Sequence, residues 1–309
     1  MRQCVDSIIE QSFSDFELIL VNDGSNDSCP GICDGYAKKD SRVIVIHQEN
    51  GGSSYARNSG IAAASGDYLM FVDSDDYITE GSFEKISQDL KQNKGCDVFF
   101  LNSAALTIDG SSRSFGYPYS KDKIFKKCRS EVLSYFEELS EYPVSAPLKL
   151  MRRQLVLDKE LFFTSGIVCE DLDQMISLLL NAQTFDVCPS LHYIYRCSVP
   201  NSISSSQSGR LFESLLQIMR KWQDPTEQNK FIYRLMAFEY VPLLWYYHKL
   251  NKVKKKEYKA EMHKHAVLMS YSKDKRVLVV YLVYKLLKLR AAAWLVNLYY
   301  TLKLGKKAL

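Results

Sequence analysis

The segment "YLMFVDSDDYI" over residues 68–78 places three carboxylates within four residues, directly after a run of mostly apolar side chains. Asp73, Asp75 and Asp76 repel one another at the end of what should be a buried strand, so the cluster needs a compensating partner. A divalent cation such as Mg²⁺ or Mn²⁺ is usually held by one or two carboxylates together with substrate phosphates. The spacing therefore indicates a site for a metal ion and a nucleoside diphosphate. The alternative is a solvated acidic turn that caps the next helix.

Other polar residues lie where a predicted strand ends or where a predicted helix begins. Asp23 ends a neighbouring apolar strand in "LVNDGSND", and Asn50 and Arg57 lie in "NGGSSYARNSGI" between the two acidic turns. Further along, "GIVCEDLDQMISLLL" places Glu170 and Asp171 before an amphipathic helix. Taken by itself, such a carboxylate pair is typical of a helix N-terminus, where the helix dipole favours negative charge.

Together these segments resemble the family-2 inverting glycosyltransferases of GT-A fold, bacterial surface-polysaccharide type. The family pattern is V-D-D-G-S-x-D after an apolar strand, then N-x-G-x-x-x-A-R-N-x-G-I, then G-[DE]-Y-[IL]-x-F-[LV]-D-x-D-D. This chain has "LVNDGSND", "NGGSSYARNSGI" and "GDYLMFVDSDD" in that order, and the resemblance covers roughly residues 1–200. Asn22 stands where the first Asp is commoner, and Gln174 stands where the family's E-D-x-x-F has Phe.

The resemblance implies a role for each matched residue. Asp23 would accept a hydrogen bond from the base, with uracil expected, while Asn50 and Arg57 would line the nucleotide pocket. Asp73 would approach the ribose or the sugar, and Asp75 would coordinate Mn²⁺ or Mg²⁺. For Arg57 the alternative is an ion pair on a helix surface. Asp76 is expected to support its neighbours or to cap the helix.

The family's catalytic pair matches Glu170 and Asp171. Inverting transfer needs a carboxylate that takes the proton from an acceptor hydroxyl while its oxygen attacks the anomeric carbon. Asp171 matches the position of that general base, and Glu170 would be its neighbour.

Two basic segments flank the catalytic pair. "APLKLMRRQLV" resembles N-K-L-[FY]-[RK]-R with Lys149 at the matching lysine, and "YIYRCSVPNSIS" resembles Y-x-Y-R…x-S-I-S. The resemblance makes Lys149, Arg196 and Ser202 candidates for nucleotide-sugar binding. Arg196 suits a diphosphate, because a guanidinium can bind two phosphate oxygens at once. For Lys149 a surface side chain is the alternative.

Apolar runs and helical periodicity alternate over the first hundred residues. The pattern predicts strands near 16–21, 42–47, 67–72 and 96–101, with helices between them. We expect an α/β fold with a GT-A (Rossmann-like) mixed, mostly parallel sheet flanked by helices, where ligands bind beyond the carboxyl ends of the strands. The expected domains are a transferase domain over 1–203 and a helical, basic region over 204–309.

The resemblance begins inside the family's first helix, at "MRQCVDSIIEQSF". The opening strand and its Pro-x-Tyr loop are missing, and in this fold that strand lies centrally in the sheet. Its neighbours should therefore lose hydrogen-bonding partners. We expect a start codon assigned too far downstream rather than a damaged copy.

Charge is distributed unevenly. Residues 1–110 carry 8 Lys and Arg against 18 Asp and Glu (−10), and the remainder carries 32 against 18 (+14). From Lys273 onward, basic residues interleave with Leu, Val, Tyr and Trp, which is typical of a helix on an anionic membrane surface. A helical tail packed on its own domain is the alternative. Nucleic acid is not expected as a partner, because the acidic half would repel phosphate backbones.

Eight scattered cysteines without a C-x-x-C pair indicate reduced thiols in a cytosolic protein. We therefore expect a cytoplasmic enzyme, with possible peripheral contact at the plasma membrane. It would move a sugar from a nucleotide-diphosphate donor, UDP-linked by expectation, to a glycan or lipid-linked acceptor. The alternative is a catalytically inactive, transferase-derived protein that binds nucleotide or glycan. A sugar-1-phosphate nucleotidyltransferase should show an amino-terminal G-x-G-x-R…P-K loop, which the sequence lacks.

Overall fold

The structure is a computed structural model of the 309-residue chain. It describes residues 1–106, 112–115, 119–139, 142–196, 208–222 and 230–305. The chain divides into two compact units, of which the first comprises Met1–Val132, Pro143–Gly166 and Glu170–Pro200. The second comprises Leu133–Tyr142, Ile167–Cys169 and Asn201–Leu309. The expected boundary after residue 203 stays a prediction.

Helices and strands alternate through the first half of the chain, and the apolar runs of the sequence form the expected strands. The strands are β1 (Leu18–Asp23), β2 (Val43–Gln48), β3 (Tyr68–Met70), β4 (Tyr77–Ile78), β5 (Val98–Leu106), β6 (Ser112–Phe115), β7 (Lys149–Arg152) and β8 (Phe185–Arg196). The helices up to β8 are α1 (Arg2–Ile9), α2 (Cys29–Ala37), α3 (Ser53–Ala63), α4 (Ser82–Gln92), α5 (Lys121–Ile124), α6 (Arg129–Leu139), α7 (Arg153–Asp158) and α8 (Glu170–Asn181). A short 3₁₀ helix over Ala146–Leu148 precedes β7.

The described strands form two sheets. One has the order β3-β7-β5-β8-β4, with β6 added to β5, and the other consists of β1 and β2. The two longest pairings, β1–β2 and β5–β8, are parallel, and four shorter pairings are antiparallel. The prediction of a mixed α/β sheet flanked by helices is therefore confirmed.

Strands β1 and β3 lie at the edges of their sheets. Among the described residues β1 pairs only with β2, and β3 pairs only with β7. Four of the six residues of β1, Leu18–Val21, are apolar yet only half-buried. Such apolar side chains are normally covered on both faces of a parallel sheet. The expected loss of hydrogen-bonding partners beside an opening strand stays a prediction.

Asp97 joins the three central strands at the start of β5. Its Oδ1 accepts hydrogen bonds from Arg152 Nη2 at 2.7 Å and Nε at 2.9 Å. Its Oδ2 accepts from the backbone N–H groups of Gln183 (2.7 Å) and Thr184 (3.2 Å), just before β8. Burial alone would raise the pKa of Asp97, but these donors outweigh it and lower the pKa below the ordinary 3.8. The carboxylate therefore holds the ends of the three central strands β5, β7 and β8 in register.

Helices account for nearly all of the described part of the second unit. They are α9 (Ser208–Lys221), α10 (Lys230–Lys249), α11 (Lys252–His265) and α12 (Lys275–Gly305), with a 3₁₀ helix over Ala266–Tyr271 between the last two. Their buried faces are lined by Phe212, Leu235, Tyr240, Leu243 and Leu244. No helix in the described ranges carries an apolar run long enough to cross a membrane.

Asp97→Asn should destabilise the chain, because an amide replaces one acceptor oxygen with a donor that faces other donors. We expect the free energy of unfolding at pH 7 to fall by about 3 kcal/mol. The folded pKa of Asp97 is lowered, so its contribution is present above the unfolded value and is lost as pH falls through the folded value. Urea unfolding at a series of pH values should thus show the difference between variant and wild type shrinking in acid. Asp158→Asn is the control, since exposed Asp158 accepts only from Gln154. Equal effects of the two changes would contradict the assignment.

Candidate active site

Arg57 joins carboxylates from two parts of the sequence. Its Nη1 donates to Glu170 Oε1 at 2.8 Å and to Asp171 Oδ1 at 2.9 Å. Its Nη2 donates to Asp73 Oδ1 at 3.1 Å. A planar guanidinium with five N–H donors can bind several carboxylates at once, which a lysine ammonium does less well. The predicted residues of the acidic turn and of the E-D pair therefore meet at one cation. These ion pairs reach beyond the helix that carries Arg57, and its predicted place in the nucleotide pocket stays a prediction.

The start of α3 is fixed by Asp23. Its Oδ1 accepts from the Gly51 N–H at 2.9 Å and from Gln48 Nε2 at 2.7 Å, and its Oδ2 accepts from the Gly52 N–H at 2.7 Å. Partial burial opposes ionisation, but these three donors outweigh it and lower the pKa of Asp23. Gly52 has φ +85°, which favours glycine, and a Cβ on Gly51 would lie 2.4 Å from the Tyr55 ring. The backbone conformation at Gly52 and the close approach of Tyr55 to Gly51 thus explain why glycine occupies both positions of the turn that starts α3.

Polar side chains of α3 hold the segment that leads to α8. Asn58 donates from Nδ2 to the Phe163 carbonyl at 2.8 Å and accepts from the Phe163 N–H at 2.9 Å. Ser53 Oγ donates to Glu170 Oε1 at 2.6 Å. The Phe163 ring lies under the Arg57 guanidinium, 5.2 Å from the ring centre. These contacts fix both the arginine and its acceptors.

The three aspartates of the acidic turn have different surroundings. Asp73 has a side chain that is 41% exposed, and partial burial together with Asp171 and Asp75 raises its pKa although Arg57 lowers it. The Asp75 carboxylate accepts no hydrogen bond from any described residue. Asp76 is 1% exposed and accepts from Tyr193 O–H at 2.5 Å and the Arg196 N–H at 2.8 Å. Burial raises the pKa of Asp76 to about 6. Asp76 therefore anchors the turn, and Asp75 is left available.

Asp171 and Lys149 lie near one another behind Arg57. Asp171 Oδ2 accepts from the Ala146 N–H at 2.9 Å. Lys149 is completely buried, and its Nζ donates to the carbonyls of Val144 at 3.1 Å and Ser145 at 2.6 Å. Burial lowers the pKa of Lys149 to about 7, which Asp171 opposes and Arg57 reinforces. The alternative of a surface side chain is wrong for Lys149. Its predicted contact with a nucleotide sugar stays a prediction, but the amine already has two acceptors.

The remaining predicted residues lie as follows. Asn50 is exposed and follows β2. It lies beside Gly24, the residue that directly follows Asp23. Arg196 donates from Nε to the Asp75 carbonyl and from Nη1 to Gln3 Oε1 at 3.2 Å. Ser202 lies outside the described residues. The predicted roles of all these residues in ligand binding stay predictions.

Sequence reasoning missed several supporting residues. Tyr193 lies 117 residues from its partner Asp76, and Ser53 lies 117 residues from its partner Glu170. Asn58 is part of the quoted family pattern, yet no role was predicted for it. The A-R-N run and the Y-x-Y-R run of the quoted family patterns could have drawn attention to Asn58 and Tyr193, and nothing local indicates Phe163.

The residues present fit a divalent cation that is shared with a substrate. Among the described residues no three Asp, Glu, His or Cys side chains are grouped so that they could hold a metal ion by themselves. Magnesium and manganese are usually held by one or two carboxylates, with phosphates supplying other ligands. The Asp75 carboxylate, free of described donors and next to Asp73, matches such a donor set. Arg57 alone also leaves the carboxylates of Asp73, Glu170 and Asp171 with an excess of negative charge.

The chain is similar in sequence to known glycosyltransferases. Residues 1–153 match the family model described as "Glycosyl transferase family 2". The "Uncharacterized glycosyltransferase EpsJ" of Bacillus subtilis is 34% identical over 209 residues, which cover 66% of this chain and 59% of EpsJ. The "Minor teichoic acid biosynthesis protein GgaB" of B. subtilis is 39% identical over 97 residues, covering 30% of this chain and 11% of GgaB. The chain thus spans less than two thirds of the length of these curated relatives.

A solved structure shares the fold. The crystal structure of S. aureus TarS 1-349 in complex with UDP-GlcNAc has a TM-score of 0.66 at 19% sequence identity. The match covers 98% of this chain and 88% of the TarS chain. At this level of identity the likeness shows the fold alone.

Arg57→Gln should lower the melting temperature, because Asp73, Glu170 and Asp171 lose their shared cation. Ionised carboxylates at such close range repel one another, and protonation relieves that repulsion. The loss relative to wild type should therefore be smaller at about pH 5 than at about pH 8. Differential scanning fluorimetry at both pH values measures it.

Arg42→Gln provides the control for that experiment. Arg42 pairs with one carboxylate, Asp40, whose pKa it lowers to about 2. No change in protonation of Asp40 occurs between the two pH values, so the loss in this variant should be the same at both. An Arg57→Gln loss that is also independent of pH would contradict the shared-cation interpretation.

Proposed function

Because the chain belongs to glycosyl transferase family 2, we propose that it is a metal-dependent inverting glycosyltransferase. It moves a sugar from a UDP-linked donor to a glycan or lipid-linked acceptor in cell-surface polysaccharide synthesis. The proposal depends on one observation: the Arg57 guanidinium is hydrogen-bonded to Asp73 of the acidic turn and also to Glu170 and Asp171. The teichoic acid role named for GgaB and the UDP-GlcNAc named for TarS support the choice of pathway and donor.

The transfer step needs a base and a stabilised leaving group. An acceptor hydroxyl oxygen forms the new bond to the anomeric carbon, and its proton passes to Asp171. The bond from that carbon to the diphosphate oxygen breaks, and its electron pair leaves with UDP. Asp171 uses one lone pair of each oxygen for Arg57 and Ala146, so further lone pairs can accept the proton. Attack opposite to the leaving group inverts the anomeric centre.

Donor binding is assigned to the residues around the acidic turn. Asp75 would hold the metal ion together with the diphosphate, and a bound cation offsets the charge that builds on the leaving group. Asp23 and Asn50 would border the base, while Asp73 would approach the ribose or the sugar. Arg196, already beside the Asp75 carbonyl, would contact the diphosphate. Ser202 keeps its predicted role in that contact.

Two variants should separate metal binding from proton transfer. Asp75→Ala should abolish the Mn²⁺-dependent part of UDP affinity, because the carboxylate without a described hydrogen-bond donor is lost. Asp171→Asn should leave UDP affinity within about twofold and slow UDP release by roughly 100- to 10,000-fold, since an amide cannot take the proton. Isothermal titration with UDP with and without Mn²⁺ measures affinity. Release of UDP to water from UDP-glucose, UDP-galactose and UDP-GlcNAc measures turnover.

Asp15→Ala is the matched control, because Asp15 is exposed and away from the acidic turn in sequence. It should keep the affinity and turnover of the wild type. Wild-type turnover in Asp171→Asn would overturn the base, and UDP affinity indifferent to Mn²⁺ would overturn the metal role. UDP binding with no turnover of any donor would instead support a nucleotide-binding protein without transferase activity.

Membrane contact is proposed for α12, the last helix of the second unit. Leu286 (70% exposed), Leu287 (65%) and Trp294 (56%) are apolar side chains that face solvent. Lys285, Lys288 and Arg290 lie among them, and Lys288 interrupts the helix with φ +68°. An exposed apolar surface with interspersed cations suits the headgroup region of an anionic membrane.

Leu286→Asp combined with Leu287→Asp should reduce membrane binding, because it removes apolar area and adds negative charge. The wild type should sediment with phosphatidylglycerol vesicles, less so with phosphatidylcholine vesicles, and less so as salt rises. Val253→Asp in α11 is the control, since Val253 is 75% exposed outside α12. Equal sedimentation of wild type and double variant would exclude this surface.

A further inference from the structure

The side chain of Lys149 turns back on its own chain. Lys149 begins β7, immediately after the 3₁₀ helix Ala146–Leu148. Its Nζ donates to the carbonyl oxygens of Val144 and Ser145, and the side chain has no exposed surface. A lysine in the interior is costly unless its donors are satisfied, so these two acceptors explain how it is tolerated.

One of those carbonyls belongs to a peptide group that also contacts the proposed base. The Ser145 carbonyl and the Ala146 N–H are the two ends of a single peptide unit. The carbonyl accepts from Lys149 Nζ at 2.6 Å, and the N–H donates to Asp171 Oδ2 at 2.9 Å. The peptide unit is planar, so fixing the oxygen also fixes the direction of the N–H. Hydrogen bonds in such a chain also polarise one another.

We propose that Lys149 is a positioning residue for Asp171: through the Ser145–Ala146 peptide group it directs an N–H at Asp171 Oδ2 and so holds the carboxylate for proton transfer. This inference rests on the proposed role of Asp171 as the base. Asp171 Oδ1 is held from the other side by Arg57. Lys149 and Arg57 therefore restrain the two oxygens of one carboxylate from independent elements, β7 and α3.

The protonation state of Lys149 does not decide this role. Burial lowers its pKa to about 7, so both forms are populated near neutrality. The charged groups that act on it are Asp171 on α8 and Arg57 on α3. An ammonium has three N–H donors and a neutral amine has two, so either form can serve both carbonyls.

Lys149→Met keeps an unbranched side chain that is one atom shorter, and it removes the N–H donors. In the full chain we expect kcat for UDP release from the best donor of the panel to fall about 10- to 100-fold, the size of effect that a misplaced catalytic group produces. The donor KM and the affinity for UDP with Mn²⁺ should stay within about twofold. Lys121→Met is the control, because the Lys121 ammonium also donates a hydrogen bond within the fold, but to the carboxylate of Asp89, at 2.7 Å. It should leave kcat unchanged.

A double variant tests whether Lys149 acts through Asp171. If it does, Lys149→Met should add little to the loss already caused by Asp171→Asn, because effects within one coupled unit are not additive. A merely structural role would multiply the two losses, and that result overturns the inference. An unchanged kcat in Lys149→Met, or a loss confined to donor KM and UDP affinity, overturns it too. Wild-type kcat in Asp171→Asn would remove the base assignment and the inference with it.

Ala146→Pro keeps the test decisive if Lys149→Met does not fold. Proline lacks the N–H that contacts Asp171, and Lys149 keeps both of its acceptors. Ser145 has φ −59° and ψ +129°, a conformation that a residue before proline readily adopts. The same fall in kcat with unchanged UDP affinity supports the inference. A wild-type kcat overturns it.

Discussion

One guanidinium holds the candidate active site together. Asp73 follows β3, whereas Glu170 and Asp171 begin α8, and Arg57 on α3 is hydrogen-bonded to all three. Carboxylates this close would repel one another without a cation between them. Because one positive charge faces three negative ones, the balance remains negative. That excess is what makes a divalent cation at Asp75 physically reasonable, since a diphosphate would add further negative charge.

The arginine can do this only because α3 is fixed in place. Asp23 holds the glycine turn that starts the helix, and Asn58 forms two hydrogen bonds with the backbone of Phe163. Ser53 extends the same support to Glu170. The contacts that hold α3 in the fold therefore also hold the candidate active site. We expect the loss of one of these contacts to shift both the Arg57 guanidinium and the carboxylates that it joins.

The sequence predicted the acidic turns from the apolar runs that precede them, and the E-D pair only through the resemblance to the family. It could not predict Tyr193 beside Asp76 or the antiparallel placement of β7 between β3 and β5. Those contacts join residues far apart in the chain, and local periodicity carries no information on which strands pair. Of the eight described strands, β4, β6, β7 and β8 were not among those predicted.

Lys149 shows the limit of reading charge as exposure. In "APLKLMRR" the resemblance made Lys149 a candidate for nucleotide-sugar binding, with a surface side chain as the alternative. In the structure β7 lies in the interior of the sheet, and the Lys149 side chain has no exposed surface. The amine must then find acceptors inside, and the nearest are the carbonyls of the turn that precedes its own strand. That turn carries the N–H bound to Asp171, so burying this lysine necessarily connects the centre of the sheet to the proposed base.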